Sequence, residues 1–121
     1  MGDPIKSYRD LIAWQKAYAL GKHLYGLAGK LPEMERFGLI GSIRRGACSI
    51  ASHIAQGYGR GNTSDYVWFL KQARGEIYML DTQLLFALDF EYIPRDDYDG
   101  IKAELDESER VLAGLIRSLG G

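Results

Sequence analysis

Two histidines, a lone cysteine and a serine four residues before one of the histidines are the groups in this chain best suited to chemistry. On a helix, Ser49 and His53 share a face and can touch. A nucleophile also needs a third group to orient its base and donors for the oxyanion. Neither is visible, so a polar contact between helices is the better reading. Helical bundles build di-iron sites from Glu and Glu-x-x-His pairs. Here Leu20 and Ile50 stand three residues before His23 and His53, where the glutamates would be needed. No metal, cofactor or small-molecule substrate is expected. Cys48 lies among small residues and reads as buried filler. Gly57-x-Gly59-x-Gly61 invites comparison with a phosphate-cradling loop, but the dinucleotide fingerprint follows a strand and this one follows a helix. A helix end and turn, with glycine where φ is positive, fits better. It leaves room for an anion at the start of the next helix, beside Arg60.

The charged residues suggest contact with partners rather than catalysis. Residues 1–62 carry nine Lys/Arg against four Asp/Glu, and residues 63–121 carry six against twelve, for a net charge of −1. That split suggests attraction between surfaces, within or between chains. Arg44 and Arg45 diverge by about 100° around a helix, so one can pair with acids of a neighbouring helix or chain while the other meets a polyanion. Lys16, Lys22, Arg45 and Arg60 form the candidate nucleic-acid surface. Arg74 and Asp81, with Tyr78, Glu76 and Gln83, place polar groups beside an apolar stripe. Buried polar groups need partners, so a network joining Arg74 and Asp81 to Arg44 or Arg45, His53 and Gln56 is expected. The acidic run from Asp96 to Glu109 reads as a solvated helix face.

The elements that must position these groups are helices. Apolar residues recur at alternating steps of four and three: Ala13, Ala17, Leu20, Leu24, Leu27, Leu31; then Ile40, Ile43, Ala47, Ile50, Ile54; then Tyr66, Leu70, Ala73, Ile77, Leu80, Leu84; and finally Ile101, Leu105, Ser108, Leu112, Leu115, Leu119. Ser7 or Asp10 could cap the first helix and Leu31-Pro32 ends it; the second starts near Arg36; Asn62-Thr63-Ser64-Asp65 caps the third; Asp96 and Asp97 suit the first turn of the fourth. Short loops between four such helices describe an all-α, up-down-up-down four-helix bundle, one domain over residues 1–121. The first two helices carry a second stripe each, Leu11, Trp14, Tyr18, Gly21, Tyr25, Ala28 and the small residues Cys48, Ala51, Ala55. Two stripes are too many for one core, and a wet apolar face is an aggregation liability, so a closed homo-oligomer is expected. The stretch from Met1 to Lys6 has no apolar signal core, and no apolar run approaches the roughly 18 residues of a membrane span. With a single cysteine, a soluble cytoplasmic protein without a disulfide is expected.

Several separated motifs carry a family resemblance. They are Leu11-Ile12-Ala13-Trp14-Gln15-Lys16-Ala17, Ile43-Arg44-Arg45-Gly46-Ala47-Cys48-Ser49-Ile50, the turn Ile54-Ala55-Gln56-Gly57-Tyr58-Gly59-Arg60, and Ala73-Arg74-Gly75-Glu76. In this order they resemble the bacterial four-helix bundle family first named for proteins encoded by intervening sequences in large-subunit ribosomal RNA genes. That family in turn resembles the accessory protein of diversity-generating retroelements. The resemblance implies a bundle assembling into a ring-shaped homopentamer, no known catalysis, and association with RNA or DNA for some members. Ala51, His53 and Gln56 stand where Pro, Asn and Glu are common in the family.

Overall fold

The computed structural model describes residues 4–121; the first three residues of the Met1–Lys6 stretch lie outside the described residues. Four helices are formed: α1 (Ile12–Ala28), α2 (Gly41–Tyr58), α3 (Thr63–Asp89) and α4 (Arg95–Ser118). α1 packs on α2, α2 on α3, α3 on α4, and α4 closes the square against α1. This is the up-down-up-down four-helix bundle. Its core is the set of four stripes, with Leu20, Leu24, Ile43, Ile50, Ile54, Leu70, Leu80, Leu84, Leu105 and Leu112 fully buried. The stripes of α1 and α4 drift slightly at their ends, as 3.6 residues per turn requires over several heptads. Thus Ala28 replaces Leu27 in the core of α1, and Ile116 replaces Leu115 in α4.

Local chemistry sets the helix ends. Asn62 accepts the Asp65 backbone N–H through its side-chain oxygen at 2.8 Å, capping α3. Asp96 and Asp97 fill the first turn of α4, where the helix dipole favours carboxylates. Ser7 caps a single 3-10 turn over Tyr8–Asp10 rather than α1, and the Asp10 carboxylate returns to the Lys6 and Ser7 N–H groups at 2.8 and 3.1 Å. Leu11 is extended, so α1 begins only after it. The approach to α2 also differs from the expected start near Arg36. Gly38 has non-helical angles (φ −103°, ψ −112°), so Arg36–Ile40 form one wide turn and α2 starts at Gly41. The Glu35 carboxylate steadies that turn by accepting the Leu39 N–H at 3.2 Å.

Glycines let α2 approach both of its neighbours. A Cβ on Gly21 of α1 would stand 2.5 Å from the Ala47 carbonyl oxygen. On the other flank of α2, a Cβ on Gly57 would meet the Phe69 Cβ at 2.7 Å, and one on Gly46 the Leu80 Cδ2 at 2.9 Å. Gly57 is therefore a packing glycine inside the helix. Of the three glycines in the turn motif only Gly61 has a positive φ, 81°. That residue alone needs glycine for its backbone angle.

Backbone contact at Gly21 leaves nothing to yield, so Gly21→Ala should destabilise the bundle by about 1–3 kcal/mol. Gly100→Ala, inside α4 with no atom within 4 Å of the added Cβ, should stabilise by about 0.5–1 kcal/mol. Paired thermal melts check both, and equal melting points would refute the close-approach argument.

Candidate functional site

The four candidate nucleic-acid residues do not form one patch on the protomer. Lys16 points to α4 and meets Glu107 at 3.6 Å. Lys22 lies over the Tyr18 ring, 4.8 Å from its centre. Arg60, after α2, lies over the Phe69 ring at 5.6 Å and meets Asp65 at 3.3 Å. Arg45 is exposed and has no acid within ion-pair distance among the described residues. Arg44 is also without an acid: its Nε donates to the Tyr25 carbonyl at 3.3 Å and its guanidinium stands 4.5 Å over the Tyr25 ring. Lys22 and Arg44 beside the α1–α2 ring column, and Arg45 elsewhere on α2, thus carry charge with no carboxylate within ion-pair distance among the described residues.

The expected polar network is distributed differently. Asp81 turns to α4, accepting the Tyr98 hydroxyl and the Lys102 ammonium, each at 2.9 Å. Lys102 also meets Asp106 at 3.0 Å. These two carboxylates, Asp81 foremost, raise the Lys102 pKa well above the usual lysine value. Burial first, and the Asp81 hydrogen bond second, raise that of Tyr98. Arg74 is half-buried and forms no hydrogen bond or ion pair with the described residues, while Tyr78 donates to Glu109 at 3.1 Å. Gln56 is exposed. Arg44, Arg45, His53, Gln56 and Arg74 are therefore not joined to Asp81. Periodicity alone did not single out Tyr98 and Lys102, although Tyr98 continues the α4 stripe three residues before Ile101. The α2–α3 seam holds Gln83, which donates to the Ser42 hydroxyl. It also holds three buried atoms with no hydrogen-bond partner among the described residues: His53 Nδ1, Glu76 Oε2 and Gln83 Oε1. The His53 ring packs near Phe69, not against Ser49.

Besides Met34 and Phe37, exposed in the turn before α2, two apolar surfaces lie open along the helices. The first is a groove of about 390 Å³ between α1 and α2. Ala47, Cys48, Ala51, Ser52 and Ala55 floor it, and a column of aromatic rings walls it. In that column Tyr8 meets Trp14 edge-on at 5.3 Å and Trp14 stacks on Tyr18 at 4.8 Å. Tyr18 and Tyr25 stay 50% and 48% exposed, so the second stripe of α1 is not covered within the protomer. Cys48, read from sequence as buried, is exposed in the groove floor, because the small residues of α2 have no helix over them there. The second surface is the outer line of α3, where Trp68, Met79, Phe86 and Phe90 are all exposed. Steps of eleven, seven and four place them on one edge of the helix.

Removing the Asp81 carboxylate leaves the buried Tyr98 hydroxyl without its acceptor. Asp81→Ala should cost about 1–3 kcal/mol, whereas Arg74→Ala should cost less than about 1 kcal/mol. Chemical denaturation of the two variants checks the contrast. The raised Lys102 and Tyr98 values mean that the folded state holds these protons more tightly than the unfolded chain. Their stabilisation is present below about pH 10 and is lost as pH rises further. Asp81→Ala should flatten that alkaline decline.

The geometry accords with what comparison with known proteins finds. The family model described as 23S rRNA-intervening sequence protein matches residues 9–114, from the 3-10 turn before α1 almost to the end of α4. No match is found among curated proteins. With the match spanning all four helices, the chain belongs to the 23S rRNA-intervening sequence protein family.

Proposed function

We propose that this protein is a non-catalytic bundle that assembles with copies of itself in the cytoplasm and associates with structured RNA. The observation that carries the RNA association is that three cations of α1 and α2, Lys22, Arg44 and Arg45, have no acid within ion-pair distance among the described residues. A duplex backbone attracts such groups by counterion release, without reading sequence. Repetition of these cations around an assembly, a ring of five by the family resemblance, makes a weak surface multivalent. Of the groups best suited to chemistry, His23 is paired with Glu104 and the His53 ring packs near Phe69, not against Ser49. Among the described residues, no helix is long and apolar enough to cross a membrane.

A second reading, a protein-interaction scaffold without a nucleic-acid role, is favoured by the exposed apolar surfaces on α1, α2 and α3. RNA titration at several salt concentrations separates the two. Arg45→Glu should weaken binding and lower the salt slope by about 0.7–0.9 for each phosphate it no longer neutralises. Arg60→Glu should do less, because Asp65 already engages Arg60. The assembly mass of both variants is to be checked against the parent. An intact assembly that shifts no RNA at roughly 100 µM, the weak end of non-specific binding, would favour the scaffold.

A further inference from the structure

Met34 and Phe37, 80% and 89% exposed, are the barest large apolar side chains among the described residues. They flank Glu35 and Arg36 in the connection between α1 and α2, and that connection is held in place. One Glu35 oxygen accepts the Leu39 N–H, and the other accepts the Tyr92 hydroxyl at 3.0 Å. Tyr92 belongs to the connection between α3 and α4, and its ring meets the half-exposed Phe90 edge-on at 5.6 Å. The two connections are thus tied together at one end of the bundle. Every cation there has an acid: Lys30 meets Asp97 at 2.8 Å, Arg36 meets Glu33 at 3.5 Å and Arg95 meets Asp99 at 3.4 Å. Asp89, Glu91 and Asp96 are exposed, with no cation within ion-pair distance among the described residues. Asp96 suits the first turn of α4. Asp89 and Glu91 do the opposite, standing at the C-terminal end of α3, where the helix favours cations and its last turn has none. Glu91 also has a φ of 62°, alone among the described non-glycine residues, where glycine would cost less. Neither acid serves the helix it ends.

We propose that this end of the bundle docks a cationic amphipathic segment of a different protein. Its apolar side chains pack on Met34, Phe37 and Phe90, and its Lys or Arg side chains meet Asp89, Glu91 and the carbonyls that end α3. Aromatic residues and Met at the centre with charge at the rim are the make-up of a protein–protein interface. The charge selects the occupant. A second copy of the same end would set acid against acid, and an anionic membrane surface or an RNA backbone is repelled by the same groups. The docking is independent of the RNA association, whose cations lie on α1 and α2.

The test uses the full chain and a designed probe, a helical peptide with leucine on one face and lysine on the other. A control peptide exchanges each lysine for glutamate. Methionine-methyl NMR localises the contact, because Met34 lies in the proposed surface and Met79 on the outer line of α3. The leucine–lysine peptide should shift the Met34 methyl and leave Met79 in place, and the glutamate control should shift neither. Phe37→Ser should weaken the peptide about tenfold, with Phe90→Ser in its place if that variant misfolds. Glu91→Gly separates docking from a structural role: it should raise the melting temperature, yet weaken the peptide roughly two- to fivefold. A Met34 methyl unmoved at about 1 mM peptide, a shift confined to Met79, or equal binding of the glutamate control or by Phe37→Ser overturns the assignment. So does a Met34 shift with phosphatidylglycerol vesicles or RNA, or a lower assembly mass in Phe37→Ser, which would give the surface to a membrane, a nucleic acid or a second copy.

Discussion

The bundle depends on how closely α2 lies against its two neighbours. Gly21 brings α1 so near that the Ala47 carbonyl occupies the place of a side chain, and Gly46 and Gly57 admit α3 on the opposite flank. Close helices gain dispersion contacts along their whole length, but only where neither backbone carries a Cβ at the crossing. α2 therefore has to be poor in bulk on both flanks. Its large aliphatic residues, Ile43, Ile50 and Ile54, are confined to the one line that points into the core.

That confinement has a consequence on the outside. A helix with small residues on both flanks cannot cover the aromatic rings of the helix beside it, so Tyr18 and Tyr25 remain half wet and Cys48 lies open. The same packing that tightens the interior thus leaves the exterior concave. On α3 the opposite holds. It is the longest helix at 27 residues, its Leu80 and Phe69 fill the space that Gly46 and Gly57 leave, and further large apolar side chains are left on its outer edge. Polar groups follow this division: Asp81 finds its partners on α4, while Glu76 and Gln83, in the tight α2–α3 seam, each keep an oxygen without a hydrogen-bond partner among the described residues.

The fold was legible because it is written in periodicity. The stripes from Ala13, Ile40, Tyr66 and Ile101 point inward except at Leu27, Tyr66, Leu115 and Leu119, which are only partly buried, and the Asn62 cap lies where its residue type puts it. Helix starts were less legible, since Ser7 and Glu35 use their capping capacity on irregular turns outside the helices they precede. The side-chain partnerships were hardest to read. A stripe says which way Asp81 and Arg74 point to within about one residue's rotation, roughly 100°, and that is the whole difference between facing α2 and facing α4. Lys16 and Arg60 look like free cations in the sequence, yet Glu107 and Asp65 reach them from elements whose relative height no periodicity reveals.

The seam between α1 and α4 is built differently from the others. The ion pairs Lys16–Glu107 and Lys30–Asp97 and the His23–Glu104 hydrogen bond cross it as a ladder of largely exposed contacts, and no glycine on either side brings the two backbones together. Exposed pairs of this kind hold weakly, and salt screens them. Local opening of a protein starts where stability is lowest, so α4 is the element that detaches first, leaving α1, α2 and α3 together around their glycine contacts. In amide hydrogen exchange that hierarchy takes the form of two families of protons. Those of α4 should exchange early and faster with added salt, and those of α2 should exchange only when the whole bundle unfolds.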